Sequence, residues 1–249
     1  MRRVCVISIW TGLMILSSIA FAQGPTGLSY KSEGNEDSRL GYQRFLLYLP
    51  ERYHENTHTK WPLIIYLHGY YDINNYESLM DGSLPGLLET RKDLPFVVAC
   101  PHMLTTESWN PDKIMNFTKR IIRNYRIDKN SIYLTGISWG GDGTWNTACA
   151  YPEFFAAIAP VCGPGNWYAA AETARKLRSL PIWVFHGEKD YYYSATSVVK
   201  MVDGLRSNGA TVVFTLYPDL GHECWNQTYS NENLFKWFLD QNNEKRRRN

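Results

Sequence analysis

The chain has 249 residues, 44% of them hydrophobic, enough to bury one large core rather than two small ones. Its 26 basic and 24 acidic residues nearly cancel, and no basic stripe runs through the body of the sequence, which argues against nucleic acid as a partner. The run Lys245-Arg246-Arg247-Arg248 is confined to the C-terminal tail, where a solvated end explains it.

Arg2 and Arg3 precede an apolar stretch from Val4 to Phe21, and Ala20-Phe21-Ala22 supplies the small residues that a signal peptidase needs. Residues 1–22 therefore read as a leader cleaved before Gln23, which predicts a secreted or periplasmic protein with no stable membrane association. An uncleaved anchor is the alternative, because the stretch is long for a leader. Residues 23–249 form one predicted domain, with 23–38 and 243–249 expected to be mobile. Four cysteines follow the leader: Cys100, Cys149, Cys162 and Cys224. Export makes one or two disulfides possible, buried free thiols being the other reading, and the spacing fits no zinc pattern. No metal is expected.

The segment from Tyr42 to Pro50 alternates and reads as an early strand, paired with Leu28 to Lys31. Denser runs follow at Leu63 to Leu67, Phe96 to Ala99, Ile132 to Leu134, Ala157 to Val161, Ile182 to Phe185 and Val212 to Leu216. Short β-rich runs without polar alternation indicate strands covered on both faces. Asp112 to Tyr125 places Ile114, Phe117, Ile121 and Ile122 on one helical face, and Ser194 to Asn208 does so with Val198, Met201, Val202 and Leu205. Asn208-Gly209 closes the second helix. A last helix is predicted over Asn231 to Gln241. Strands alternating with helices give an α/β fold, a mostly parallel, doubly wound sheet with helices on both faces.

Thr135-Gly136-Ile137-Ser138-Trp139-Gly140-Gly141 places one serine between glycines, directly after an apolar run and before a helix predicted from Trp139 to Tyr151. So sharp a strand-to-helix turn strains its apex and leaves no room for bulky neighbours, which is the physical content of the G-x-S-x-G elbow. A serine hydroxyl needs a base. Among six histidines only His222 lies downstream of both Ser138 and a suitable acid, in a loop at the carboxyl edge of the sheet. Asp190, in the loop after Ile182 to Phe185, is the expected carboxylate partner, with Glu188 and Asp219 as weaker competitors. The order Ser138, Asp190, His222 is that of the α/β-hydrolase fold. Two backbone N–H groups should stabilise the oxyanion, those of Trp139 and of Tyr70 after His68-Gly69. His68 reads as a residue bracing that loop.

The segments Tyr66 to Gly69, Ile132 to Gly141, Tyr151 to Gly163, Pro181 to Gly187 and Leu216 to His222 resemble the secreted carboxylesterases of the α/β-hydrolase superfamily. Within it they are similar to the phospholipase/carboxylesterase and dienelactone-hydrolase-like branch, whose members are often described as peptidases of the prolyl-oligopeptidase type. The resemblance spans about Tyr42 to Leu239. It implies ester hydrolysis through an acyl-enzyme, without a cofactor, by Ser138, Asp190 and His222. Two departures stand out. Tyr70, Tyr71 and Asp72 replace the small and charged residues frequent after His-Gly, and Asp142 stands where an aromatic is common.

Nine Trp and 17 Tyr are many for this length. Several fall in loops at the expected active edge, including Trp109, Trp139, Trp167, Trp225 and Tyr191 to Tyr193. Aromatic platforms suit sugar rings and aromatic acyl groups, so the expected substrate is a small-molecule or polysaccharide-linked ester, with acetyl or feruloyl groups as candidates. Trp109 and Trp225 are the expected substrate contacts. The competing readings are a prolyl-oligopeptidase-type peptidase and a catalytically silent binding module.

Overall fold

The computed structural model describes residues 25–32 and 42–248. The leader expected at 1–22 lies outside them, as do residues 33–41. Eight strands form one sheet: β1 (Gly27–Ser32), β2 (Arg44–Leu49), β3 (Trp61–Leu67), β4 (Val97–Pro101), β5 (Ile127–Ile137), β6 (Ala157–Val161), β7 (Ile182–Gly187) and β8 (Val212–Tyr217). Their spatial order is β1-β2-β4-β3-β5-β6-β7-β8. β1 pairs antiparallel with β2, and β2 with β4; every other neighbour is parallel. Strands and helices thus alternate as a doubly wound α/β architecture.

The absence of polar alternation in the central strands has a direct cause. Leu63, Ile65 and Leu67 of β3 enter one core with Phe117 and Ile121 of α3 (Pro111–Asn124), Trp145 of α4 (Trp139–Ala150) and Met201 of α6 (Ala195–Ser207). Ile64 and Tyr66 enter the other, with Leu79 of α1 (Tyr76–Met80), Leu84 and Leu88 of α2 (Leu84–Thr90), and Leu234 and Phe238 of α8 (Glu232–Asp240). Successive side chains point to opposite faces, and both faces are covered.

Local chemistry sets the helix ends. The Asn110 side chain accepts from the N–H groups of Asp112 and Lys113, at 2.9 and 3.0 Å, and Pro111 opens α3. Gly209, at φ +83°, follows α6 in the left-handed conformation that suits glycine.

One expectation is corrected. β8 is an edge strand, covered incompletely because it pairs with β7 alone, and Val213 is exposed. The expected pairing of Leu28 to Lys31 with the early strand is present as the antiparallel ladder of β1 to β2. Residues near the C-terminus form α9 (Asn243–Arg248), where buried Asn243 donates to the Phe154 carbonyl at 2.7 Å and Arg246 meets Glu153 at 3.2 Å. Cys100, Cys149, Cys162 and Cys224 are all free thiols, with Cys162 and Cys224 close enough to hydrogen-bond each other.

The turn from β5 to α4 presents the serine. Ser138 sits at φ 52°, ψ −117°, and its N–H is anchored to the Val161 carbonyl at 2.9 Å. A Cβ on Gly140 would lie 2.0 Å from the Leu67 carbonyl oxygen, and one on Gly136 would lie 2.4 Å from that of Gly140. Both obstacles are backbone, so neither moves aside cheaply. Gly140→Ala is expected to destabilise the fold by about 3 kcal/mol or more, read as a lowered urea midpoint at unchanged m-value.

Candidate active site

Three strand ends converge on one cleft. Ser138 follows β5, Asp190 follows β7, and His222 follows β8 in the loop before α7 (Trp225–Tyr229). His222 Nε2 lies 2.8 Å from Ser138 Oγ, and its Nδ1 lies 2.8 Å from Asp190 Oδ2. The other Asp190 oxygen, Oδ1, accepts from the N–H groups of Tyr192 and Tyr193 at 2.8 and 2.9 Å. Both oxygens of this carboxylate are therefore engaged. Burial alone would raise its pKa, but the His222 hydrogen bond and the Tyr193 amide outweigh it and hold Asp190 below the ordinary carboxylate value.

An ionised Asp190 fixes the imidazole. The carboxylate accepts a hydrogen bond from His222 Nδ1–H, which leaves Nε2 as an acceptor facing the serine hydroxyl. The weaker candidates stand elsewhere. Glu188 is exposed, and Asp219 pairs with Lys189 at the surface at 3.1 Å.

A second buried histidine supports the acid. His186 Nε2 donates to the Tyr193 carbonyl at 2.9 Å and lies 3.3 Å from Asp190 Oδ2. Burial lowers its pKa, so it braces the acid loop as a neutral ring. In the sequence, His186 directly follows the predicted strand Ile182 to Phe185.

The loop after β3 is built on side chains as well. Gly69 N–H donates to Asp72 Oδ2 at 2.9 Å, and Ser78 Oγ donates to Asp72 Oδ1 at 2.6 Å. His68 Nε2 accepts from Met103 N–H at 3.0 Å, so its Nδ1 donates to the Gly69 carbonyl at 2.7 Å. Burial pushes the His68 pKa down to about 3, which keeps this two-sided brace neutral. The amides of Gly69 and Ser138 are thus committed to protein acceptors, and the next amide in each loop belongs to Tyr70 and Trp139. These two side chains stack face to face, with centroids 4.8 Å apart and planes 9° from parallel.

Ser138 and His222 open into a cleft of about 290 Å³ also lined by Tyr70, Tyr71, Trp225 and Asn226. The Trp225 ring stands edge-on to His222 at 5.8 Å, in the cleft where the sequence reading expected a substrate contact. Trp109 is elsewhere. It is 3% exposed, its indole N–H donates to the His68 carbonyl at 3.2 Å, and it contributes to a neighbouring cleft rather than to the one holding Ser138. Asp72, Ser78, Asp81 and Asn226, which line the Ser138 cleft, had no sequence signal beyond the Gly69 to Asp72 spacing that lets a carboxylate cap a preceding amide. Among the described residues no group of three or more His, Cys, Asp or Glu side chains could hold a metal ion.

The model of the dienelactone hydrolase family matches residues 100–246, which include Ser138, Asp190 and His222. The chain belongs to the dienelactone hydrolase family. Its sheet and helices have the α/β-hydrolase fold. A putative carboxymethylenebutenolidase of Escherichia coli strain K12 is 30% identical over 107 residues, covering 38% of this chain and 37% of the relative. The chain thus matches little more than a third of the length of that curated relative. The crystal structure of a thermostable esterase superposes with a TM-score of 0.67 at 27% identity, over 80% of this chain and 59% of the other. A ferulic acid esterase shares the fold at a TM-score of 0.63 and 15% identity, over 85% of this chain and 96% of the other.

Proposed function

We propose that this member of the dienelactone hydrolase family is an exported carboxylesterase acting on acetyl or feruloyl esters of plant polysaccharide. The observation that carries the reading is the unbroken chain from Ser138 Oγ through His222 to Asp190, with both contacts at 2.8 Å and the hydroxyl in an open cleft. Ser138 attacks the ester carbonyl while His222 Nε2 takes its proton. The charge on the carbonyl oxygen is met by the N–H groups of Tyr70 and Trp139. The imidazolium, stabilised by Asp190, then protonates the leaving alcohol. Water, deprotonated by the same nitrogen, releases the acid and regenerates the serine. No step calls for a cofactor.

The polysaccharide part of the reading rests on the mouth of the cleft. Tyr71 and Tyr191 are 72% and 79% exposed, and Tyr192 joins them through a ring contact to Tyr191 and a phenol contact to Tyr71 at 3.4 Å. Exposed rings of this kind give sugars a face to stack on. The ferulic acid esterase of the same fold offers an analogy at the level of fold. Export rests on the leader features at Arg2 to Ala22.

The test is a panel of p-nitrophenyl acetate, methyl ferulate, acetylated xylan and a proline-containing peptide amide, with and without a chelator. Ester turnover is expected, insensitive to chelation, with the amide left intact. Amide cleavage at a rate matching the esters would turn the assignment to a peptidase.

A further inference from the structure

A second cleft, of about 440 Å³, lies beside the first and takes no part in the steps above. Trp109, Trp139, Trp145 and Tyr193 line it, with Asp142 and Asn166 supplying polar groups. The two clefts share a wall. Tyr70 lines the Ser138 cleft, Trp139 lines the other, and their rings stack on each other.

The same two residues supply the candidate oxyanion amides. An ester carbon bonded to Ser138, with its oxygen held by those amides, therefore sits at the end of the wall with one arm on each side. Proton transfer tells the arms apart. The leaving oxygen must take its proton from His222 Nε2, and His222 lines the first cleft together with Ser78, Asp81, Glu223 and Asn226. The alcohol arm belongs there, among groups that bind hydroxyls. The acyl arm is left to the second cleft.

That cleft has flat aromatic walls and one carboxylate. Asp142 lies one turn of α4 beyond Ser138, and its N–H donates to the Ser138 carbonyl at 3.1 Å. The turn carries it about 6 Å along the helix axis from the attacking residue. An acetyl group ends well short of it, and an aryl ring on a short chain does not. The hydrogen bond to the Asp142 carboxylate from Gly165 N–H is long, at 3.4 Å. Half-buried, with its pKa raised to about 6 by burial, this acid gains from a further donor.

We propose that the second cleft is the acyl site, that it takes a planar hydroxyaryl acyl group, and that Asp142 accepts the hydrogen bond of the ring hydroxyl. The proposal rests on the ester-hydrolase reading above. Its test compares kcat/KM for methyl p-coumarate, methyl cinnamate, which lacks the hydroxyl, and p-nitrophenyl acetate, in the full chain and in Asp142→Ala and Asp142→Asn. The full chain is expected to favour coumarate over cinnamate about tenfold or more, because a polar group built to meet a hydroxyl is left unpaired without it. Asp142→Ala should bring that ratio close to one, and Asp142→Asn should keep part of it, since its amide oxygen still accepts. A ratio is independent of how much variant folds. An unchanged ratio in Asp142→Ala overturns the proposal. So does a wild type that cleaves p-nitrophenyl acetate but shows no preference for hydroxyaryl esters, a result that leaves the esterase reading standing. Turnover of no ester at all overturns both.

Discussion

Ser138→Ala is expected to lower kcat for p-nitrophenyl acetate by about six orders of magnitude, the scale seen when a triad nucleophile is removed. That is about 8 kcal/mol of transition-state stabilisation. The size follows from what stays behind. His222 and Asp190 keep their 2.8 Å contact, but the base has no hydroxyl to deprotonate, and an acyl-enzyme cannot form. The amides of Tyr70 and Trp139 remain, so a residual acceleration over water of about a thousandfold is expected from positioning and oxyanion stabilisation. The fold should be indifferent to the change. Alanine meets the φ of 52° much as serine does, and the anchoring hydrogen bond is made by the Ser138 backbone N–H, which the substitution keeps. Thermal melting within a few degrees of wild type, together with loss of the acyl-enzyme burst, is the expected pair of results. Wild-type turnover in the variant would move the nucleophile to another residue.

The elbow is legible in the sequence because its constraint dictates residue type. Only a residue without a Cβ fits within 2.0 Å of the Leu67 carbonyl, and that requirement writes glycine at position 140. Strands β3 to β7 were legible for a related reason, since burial on both faces removes polar residues from the sequence itself. β8 carries the same apolar run but ends the sheet, a property of the whole topology that its own residues do not encode. Helices α1, α2 and α5 (Ala170–Leu177) left no readable period. α1 is five residues long, less than two turns. α5 buries Ala170, Thr173, Ala174 and Leu177, at correct helical spacing but with small side chains that carry little hydrophobic signal.

The same distinction divides the site. Ser138, Asp190 and His222 were readable because each follows a strand in a fixed order. The residues that shape the clefts come from short helices and from contacts across the fold. Ser78 reaches Asp72 from α1, and Asn226 enters from α7. Trp109 stands apart from the Ser138 cleft for a physical reason. It follows a strand in a polar loop, as a rim residue would, yet Gly143 opens a flat surface on α4 against which its indole lies. A Cβ at that glycine would come within 2.7 Å of Trp109 Cβ. The pairing becomes visible only when α3 and α4 are side by side.

Asp190→Asn should also be severely damaging, lowering kcat by about ten-thousandfold, or about 5 kcal/mol. The hydrogen bonds around the carboxylate dictate why. Its Oδ1 accepts from the amides of Tyr192 and Tyr193, so the oxygen of an asparagine must stay there and its NH2 must turn toward His222. A donor at that position makes His222 Nδ1 an acceptor. The ring proton then moves to Nε2, where it points at Ser138 Oγ and blocks the nitrogen that should receive the serine proton. The cleft keeps its shape, so KM for small esters should change little while kcat collapses. Glu188→Gln, at an exposed position two residues earlier, should stay within about threefold of wild type, the modest effect of a surface change. If Glu188→Gln proved the more damaging of the two, the carboxylate paired with His222 during turnover would be Glu188, and the Asp190 contact would serve only to hold the loop.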